Sequence, residues 1–361
     1  MASYVTVPIP VATLQSVIES IFQATGCDAK EAHRVAEHLI GANLAGHDSH
    51  GVGRVPRYVE WLQQGFVLAG QSVETITDGG AFVLLDGKFG LGQSVARQAA
   101  AIGIERALAN GSCIVGLRSA GHVGRIGEYA EQAIEQGILS IHFVNVGGSV
   151  LVAPFGGVER RFSTAPCCIG VPLDGEPVVL DFATSRVAEG KVLVASNGGK
   201  PLPGDALIEA DGTLSGDPHT LYGDYEQIGP RNAAGGTGAI RAFGDHKGSG
   251  LAMICELLGG VLTGSGACGP ITERGRICNG MLSIYLSPKH FGDEAAFRAA
   301  GRAYVDWVRS AQPADPALPV LAPGDPERAL RAERTANGVP LSPDTWEGIR
   351  RCAQSLGVAV P

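Results

Sequence analysis

Gly121-His122-Val123-Gly124-Arg125-Ile126-Gly127 decides how the middle of this chain is read. The stretch follows an apolar segment with strand character, Cys113 to Leu117, and opens a helical pattern over Ile126 to Gln136. A strand that turns through glycines into a helix offers unpaired backbone N–H groups to an anion. The glycines fall at i, i+3 and i+6, which is not the G-x-G-x-x-G spacing of a Rossmann turn, and no acidic residue closes a second strand in the expected manner. The same residues read equally well as a glycine-rich turn without a ligand.

Outward from this point, strands and helices alternate. Phe82 to Leu85 reads as a short strand, and Val95 to Ala109 as a helix ended by Asn110-Gly111. Ile138 to Val146, Val178 to Phe182, Ala206 to Ile208 and Met281 to Leu286 supply further strands, with a hairpin turn at Asp211-Gly212. Both chain ends are helical instead. Leu14, Val17, Ile18, Ile21 and Phe22 recur at helical spacing, and a capping box of Asp28 and Glu31 starts a second helix with the apolar face Ala32, Val35, Ala36, Leu39, Ile40, Asn43. Helix resumes from about Asp293 to Arg309, and a Pro-rich connection from Gln312 to Pro326 leads to two short helical patterns.

The composition suits a folded protein of two or three domains, since 361 residues with 45% hydrophobic and 18% charged side chains bury a sizeable core. A formal net charge of −8 argues against nucleic-acid binding, which needs a basic surface. Gly, at 52 residues, is about twice ordinary usage. The 8 cysteines form no C-x-x-C pair and fall mostly in apolar stretches, as free thiols in a reducing compartment do. Met1 to Pro10 lacks the pattern of a signal peptide, and Leu251 to Thr263 is too short to span a bilayer, so a cytoplasmic protein with no membrane partner is expected.

Chemistry concentrates in Gly46-His47-Asp48-Ser49-His50-Gly51-Val52-Gly53-Arg54-Val55-Pro56-Arg57-Tyr58. If the chain after Ser49 is helical, His50, Arg54 and Arg57 stand at i, i+4 and i+7 on one face. An imidazole exchanges protons near neutral pH, and a guanidinium grips a carboxylate with two parallel hydrogen bonds. Together they suit oxidation of a 2-hydroxy acid. Gly51, Gly53 and Pro56 weaken the helix, and an ordinary charged surface helix would also carry Arg54 and Arg57. Two further segments are candidates for a cofactor: Leu180-Asp181-Phe182-Ala183-Thr184-Ser185, which also reads as a helix N-cap, and Gly244-Asp245-His246-Lys247-Gly248-Ser249-Gly250, which opens an apolar helix over Leu251 to Leu262. Lys247 there would meet a phosphate, or simply be an exposed lysine. No H-E-x-x-H or cysteine pair suggests a metal, and no G-x-S-x-G elbow suggests a serine nucleophile.

Taken in order, six motifs resemble those of the type-2 malate/L-lactate dehydrogenases across nearly the whole chain. They are Gly41 to Gly51, Gly121 to Gly127, Val152-Ala153-Pro154-Phe155-Gly156-Gly157, Leu180 to Ser185, His246-Lys247-Gly248, and Arg331-Ala332-Glu333-Arg334-Thr335-Ala336-Asn337-Gly338-Val339-Pro340-Leu341. The resemblance implies a non-Rossmann, sulfolactate dehydrogenase-like α/β fold. A helical domain built from both termini, residues 1–75 with 310–361, would carry His50 and Arg54, and residues 76–309 would form an inserted mixed-sheet cofactor domain. It implies a homodimer that transfers a hydride between NAD, or NADP, and a small 2-oxo or 2-hydroxy carboxylate; a cyclic imino acid or ureidoglycolate is the alternative substrate. Carried over by position, His50 is the acid/base, His122 a second proton-transfer histidine, and Arg54, helped by Arg57, the carboxylate ligand. Cofactor contacts would fall on His50, Arg125, Ile126, Gly127, Leu180, Asp181, Phe182, Ala183, Thr184 and Lys247, with Asn279, Gly280, Asp325, Pro326, Glu327 and Arg328 aligned less firmly. Asp181 suits an anchor for cofactor or backbone better than a base. One departure stands out: the family's Thr-Asn-Pro is here Thr164-Ala165-Pro166, which removes an amide.

Overall fold

The computed structural model describes residues 6–198, 200–226, 231–233, 235–269 and 277–360. The start of the N-terminal segment read above, Met1 to Val5, lies outside them.

Helices Val11–Ala24 and Ala29–Leu44 form where the apolar spacing placed them, and every residue of the two expected apolar faces is buried. Asp28 caps the second helix by accepting the Glu31 N–H at 2.7 Å. The reciprocal half of the capping box is missing, because the Glu31 carboxylate turns away to accept the Gly70 N–H at 2.7 Å. The two helices share a core with Tyr58 and Trp61 and with Val339, Leu341, Ile349 and Ala353 from the other end of the chain. Strand Val7–Ile9 pairs antiparallel with Val339–Leu341, fastening the two chain ends together.

The sheet at the centre has seven strands in the order Glu74–Asp78, Phe82–Asp86, Ser112–Ala120, Asn279–Leu286, Leu139–Val144, Pro166–Val171, Val178–Ala183. One step, from Phe82–Asp86 to Ser112–Ala120, is parallel and the rest are antiparallel. The sheet is mixed, as expected. Both faces are covered, which follows from alternation along one strand. A Cβ on Gly103 of helix Gly92–Asn110 would lie 2.8 Å from Val115, whereas one on the next strand residue, Gly116, would lie 3.5 Å from Thr263 beyond the other face.

A smaller four-stranded sheet of Leu214–Ser215, Leu207–Ile208, Ala239–Arg241 and Val152–Ala153 has its own core around Phe162, Leu207, Leu221, Tyr222 and Ile240. Its hairpin turns at Asp211-Gly212, as the dipeptide predicts, with Leu214 opposite Ile208. The apolar helix starts earlier than its pattern indicates. It runs His246–Cys255 and continues over Glu256–Val261 in the wider π register, so Lys247 lies in its first turn. Met253, Ile254, Leu257, Val261 and Leu262 are exposed on it, a large apolar surface at helical spacing. No helix among the described residues is long and apolar enough to cross a membrane.

Candidate active site

The segment after Ser49 is not a continuous helix. Asp48–His50 and Val52–Arg54 are two 3-10 turns, with extended backbone at Gly51 between them, and regular helix begins only at Val55–Gln63. The kink has a steric and a polar cause. The Asn43 amide is pressed against Gly51, where a Cβ would come within 2.1 Å of Asn43 Oδ1. That oxygen accepts the Val52 N–H at 2.8 Å, and the amide nitrogen donates to Asp48 Oδ1 at 2.7 Å. Arg334, from helix Asp325–Asn337, closes the clamp on Asp48 at 2.7 Å.

The break sorts His50, Arg54 and Arg57 differently from a straight helix. His50 stacks on His122, ring centroids 5.5 Å apart and planes within 11°. Arg54 Nε donates to the Ser49 carbonyl at 2.6 Å, leaving its terminal nitrogens without a partner among the described residues. Arg57 does not join them; it is exposed and paired with Glu60 at 2.7 Å. The break at Gly51 thus leaves Arg57 apart from His50 and Arg54.

Each imidazole has a hydroxyl at Nδ1. His50 Nδ1 lies 3.0 Å from Ser49 Oγ, and His122 Nδ1 lies 2.5 Å from Tyr58 Oη. Neither Nε2 has a partner among the described residues. Burial, and then the positive charge of Arg54, push His50 down to about 3; the same two causes hold His122 well below its usual value. Both rings are neutral at pH 7.

Three amides of the glycine motif that opens the sequence reading are taken by side chains. The Val123 N–H donates to Asn279 Oδ1 at 2.8 Å, the Arg125 N–H to His38 Nε2 at 3.0 Å, and the Gly127 N–H to Asp181 Oδ2 at 2.8 Å. The protein's own side chains satisfy these three amides. Gly124 is required by both its φ of +74° and the room it leaves, since a Cβ there would meet His38 Nε2 at 2.2 Å. Asp181 thus anchors backbone. Burial raises its carboxyl above the usual range, against the pull of His47 and Arg125. Arg125 is spent on Glu131 at 2.7 and 3.0 Å, and Ile126 is buried in the core.

Other expected contacts separate in the same way. Asn279 and Gly280 are both engaged in buried hydrogen bonding within the chain. The Asn279 amide donates to the Asn145 carbonyl at 2.7 Å, the Gly280 N–H donates to Asn145 Oδ1 at 2.8 Å, and a Cβ on Gly280 would collide with the Gly259 carbonyl at 2.0 Å. Asp325 is likewise occupied, accepting from the Ala322 N–H at 2.7 Å and from Arg309 and Arg328. Glu327 lies 3.5 Å from His47, and Pro326 is exposed beside it. Thr184 spends its hydroxyl on the Ala165 carbonyl at 2.7 Å, and its own carbonyl accepts the Phe243 N–H at 3.1 Å. Leu180 is exposed, Phe182 meets the Phe243 ring edge-on at 5.6 Å, and Ala183 is half-buried. The end of the edge strand and the start of the Lys247 helix therefore sit together, and Lys247 is exposed with no ion partner among the described residues. Ala165, in place of the family amide, is fully buried with Cys167 and Cys255.

Sequence reasoning passed over Tyr58, Gln93 and His38. Tyr58 was visible inside the His50 segment, and only its distance in sequence from His122 hid its partner. His38 reads as one more residue on a buried helix.

The model of the malate/L-lactate dehydrogenase family matches residues 9–350. The chain belongs to that family. Hydroxycarboxylate dehydrogenase B of Escherichia coli K12 is 40% identical over 350 residues, covering 96% of this chain and 93% of the relative. An L-lactate dehydrogenase of Cupriavidus necator is 34% identical over 357 residues, covering 98% and 99%. The solved sulfolactate dehydrogenase of Methanocaldococcus jannaschii superposes with a TM-score of 0.85 at 26% identity, covering 98% of both chains. The mixed α/β fold is the family's, and the chain is an oxidoreductase of the hydroxy-acid dehydrogenase class.

Proposed function

We propose that this protein moves a hydride between C2 of a small 2-hydroxy or 2-oxo carboxylate and C4 of a nicotinamide, NAD or NADP, with His50 as acid/base. One observation carries the reading. Two stacked neutral imidazoles, each with an open Nε2, lie within the field of a guanidinium whose terminal nitrogens have no partner among the described residues. That group suits a carboxylate, and the rings suit the oxygen on the carbon next to it.

Bound nicotinamide would supply the hydride; the protein's part is binding, orientation and proton transfer. The residues present fit such a cofactor. Lys247 has a cation to offer its phosphates, and the Phe182 to Thr184 strand end beside Phe243 lies next to the start of its helix. In oxidation, neutral His50 accepts the hydroxyl proton at Nε2 while Arg54 fixes the carboxylate. In reduction, protonated His50 returns that proton. The helical unit of residues 1–75 with 310–361 then contributes the proton chemistry, and residues 76–309 the cofactor surface.

The test is absorbance decay of NADH and of NADPH against a panel of 2-oxo acids and cyclic imino acids, with and without chelator. Turnover of at least one 2-oxo acid that chelator leaves unchanged is expected. Nicotinamide-independent activity, or activity lost to chelator, removes the proposal; preferential turnover of cyclic imines moves the substrate to a C=N bond on the same site.

The reading includes a homodimer, supported by the exposed Met253, Ile254, Leu257 and Val261 face. Leu257→Asp should convert a dimer to monomer in sedimentation velocity. A wild-type monomer at micromolar concentration contradicts this part. The reading also includes a reducing, cytoplasmic setting, consistent with buried Cys27, Cys113, Cys167, Cys168, Cys255 and Cys268 outside any disulfide.

A further inference from the structure

Behind His122 lies a buried polar pair that has no part in the reading above. Tyr58 is 2% exposed and Gln93 fully buried. Gln93 Nε2 donates to the His122 carbonyl at 3.1 Å and to Tyr58 Oη at 3.0 Å. A carbonyl only accepts, so the end of the Gln93 amide turned toward it is the NH2. Tyr58 Oη therefore receives one hydrogen bond from Gln93 and still has its own proton to give. The acceptor within reach is His122 Nδ1, at 2.5 Å. A neutral imidazole that accepts at Nδ1 carries its proton on Nε2. Burial, which raises Tyr58 to about 12 and keeps His122 neutral, favours this placement of both protons.

We infer that Tyr58, oriented by Gln93, holds His122 as the Nε2–H tautomer, a fixed hydrogen-bond donor to the C2 oxygen of the substrate, while His50 alone exchanges the proton. Tyr58 and Gln93 are positioning residues. The two rings differ in what stands at Nδ1. Ser49 Oγ, beside His50, rotates to give or accept a hydrogen bond and so tolerates either state of that ring. The phenol beside His122 is already committed by Gln93 and tolerates one.

The backbone around His122 is braced for such a task. Ser119 and Phe89 both take positive φ, +52° and +55°, and the Phe89 N–H donates to the Ser119 carbonyl at 2.7 Å. A Cβ on Gly92, beside Gln93, would come within 2.3 Å of the His122 carbonyl, so the helix starts hard against it. The oxygen that His122 serves rests on the proposed hydride-transfer reading; the tautomer does not.

The experiment is nitrogen NMR of the full-length protein labelled at histidine, with His122 assigned by the signals lost in His122→Gln. In the wild type, His122 should show an unprotonated Nδ1 and a protonated Nε2. In Tyr58→Phe the tautomer should shift, and kcat for 2-oxo acid reduction should fall about 10²-fold, with KM and NADH affinity unchanged. A wild-type ring protonated at Nδ1 overturns the inference, as does a Tyr58→Phe protein with unaltered tautomer and kcat. If Tyr58→Phe does not fold, the wild-type spectrum decides alone. Should His50→Ala keep full turnover while the tautomer is as inferred, it is the acid/base reading that fails.

Discussion

Replacing His50 by alanine is expected to lower turnover about 10²–10⁴-fold, the usual worth of a positioned acid/base, while NADH binding stays near that of the wild type. Proton transfer falls because the other candidate ring, His122, has its Nδ1 engaged with Tyr58 and lies under the same charge. Cofactor affinity survives because the ties that shape its proposed surface lie elsewhere: Asp181 to the Gly127 N–H, Thr184 to the Ala165 carbonyl, and the Phe243 N–H to Thr184. Steady-state rates and NADH fluorescence titration measure the two halves. Wild-type turnover in the variant ends the acid/base role.

A pH effect accompanies this. His50 is lowered to about 3, first by burial and second by the charge of Arg54. A carboxylate seated on Arg54 offsets the second cause, so His50 rises when substrate binds. Binding a 2-oxo acid analogue to the NADH complex should therefore take up protons, increasingly as the pH falls, and His50→Ala should abolish the uptake.

The second large effect belongs to Arg54. Arg54→Ala is expected to raise KM for a 2-oxo acid by about 10–100-fold, since hydrogen bonds to a charged group contribute about 1.5–3 kcal/mol. A fall in kcat should come with it. Arg54 Nε also holds the Ser49 carbonyl, and Ser49 Oγ orients His50, so the loss reaches the proton donor through one residue. Arg54→Lys separates the two contributions: it keeps a charge near the carboxylate but lacks the planar fork. Its KM should fall between those of wild type and Arg54→Ala. An unchanged KM in Arg54→Ala excludes the clamp.

Periodicity located the helices and most strands because each is a local pattern with one buried face. The apolar faces of Val11–Ala24 and Ala29–Leu44 and the strands near Phe82, Cys113 and Met281 all formed where spacing placed them. The strands Glu74–Asp78 and Pro166–Val171 were not anticipated: the first is exposed along its length and so shows no hydrophobic alternation, and the second begins at a proline. Capping was half legible at Asp28, where local chemistry fixed one hydrogen bond and a distant loop captured the other partner. The conditional helix after Ser49 did not form, because the break depends on Asn43, nine residues before Val52, folding back onto Gly51 and Val52. At Gly121 to Gly127 the pattern marked a glycine-rich turn with amides to offer, but the partners at two of them are His38 and Asp181, which no local pattern reveals.

Arg334 grips the turn ahead of His50 at the Asn43 carbonyl, which lies 291 positions earlier in the chain. During synthesis, the N-terminal helices leave the ribosome long before their fastener exists. Until Arg334 has been made, a nascent chain carries the loop ahead of His50 without this fastener. Fragments from premature termination should thus accumulate, when they fold at all, as inert species rather than as leaky oxidoreductases.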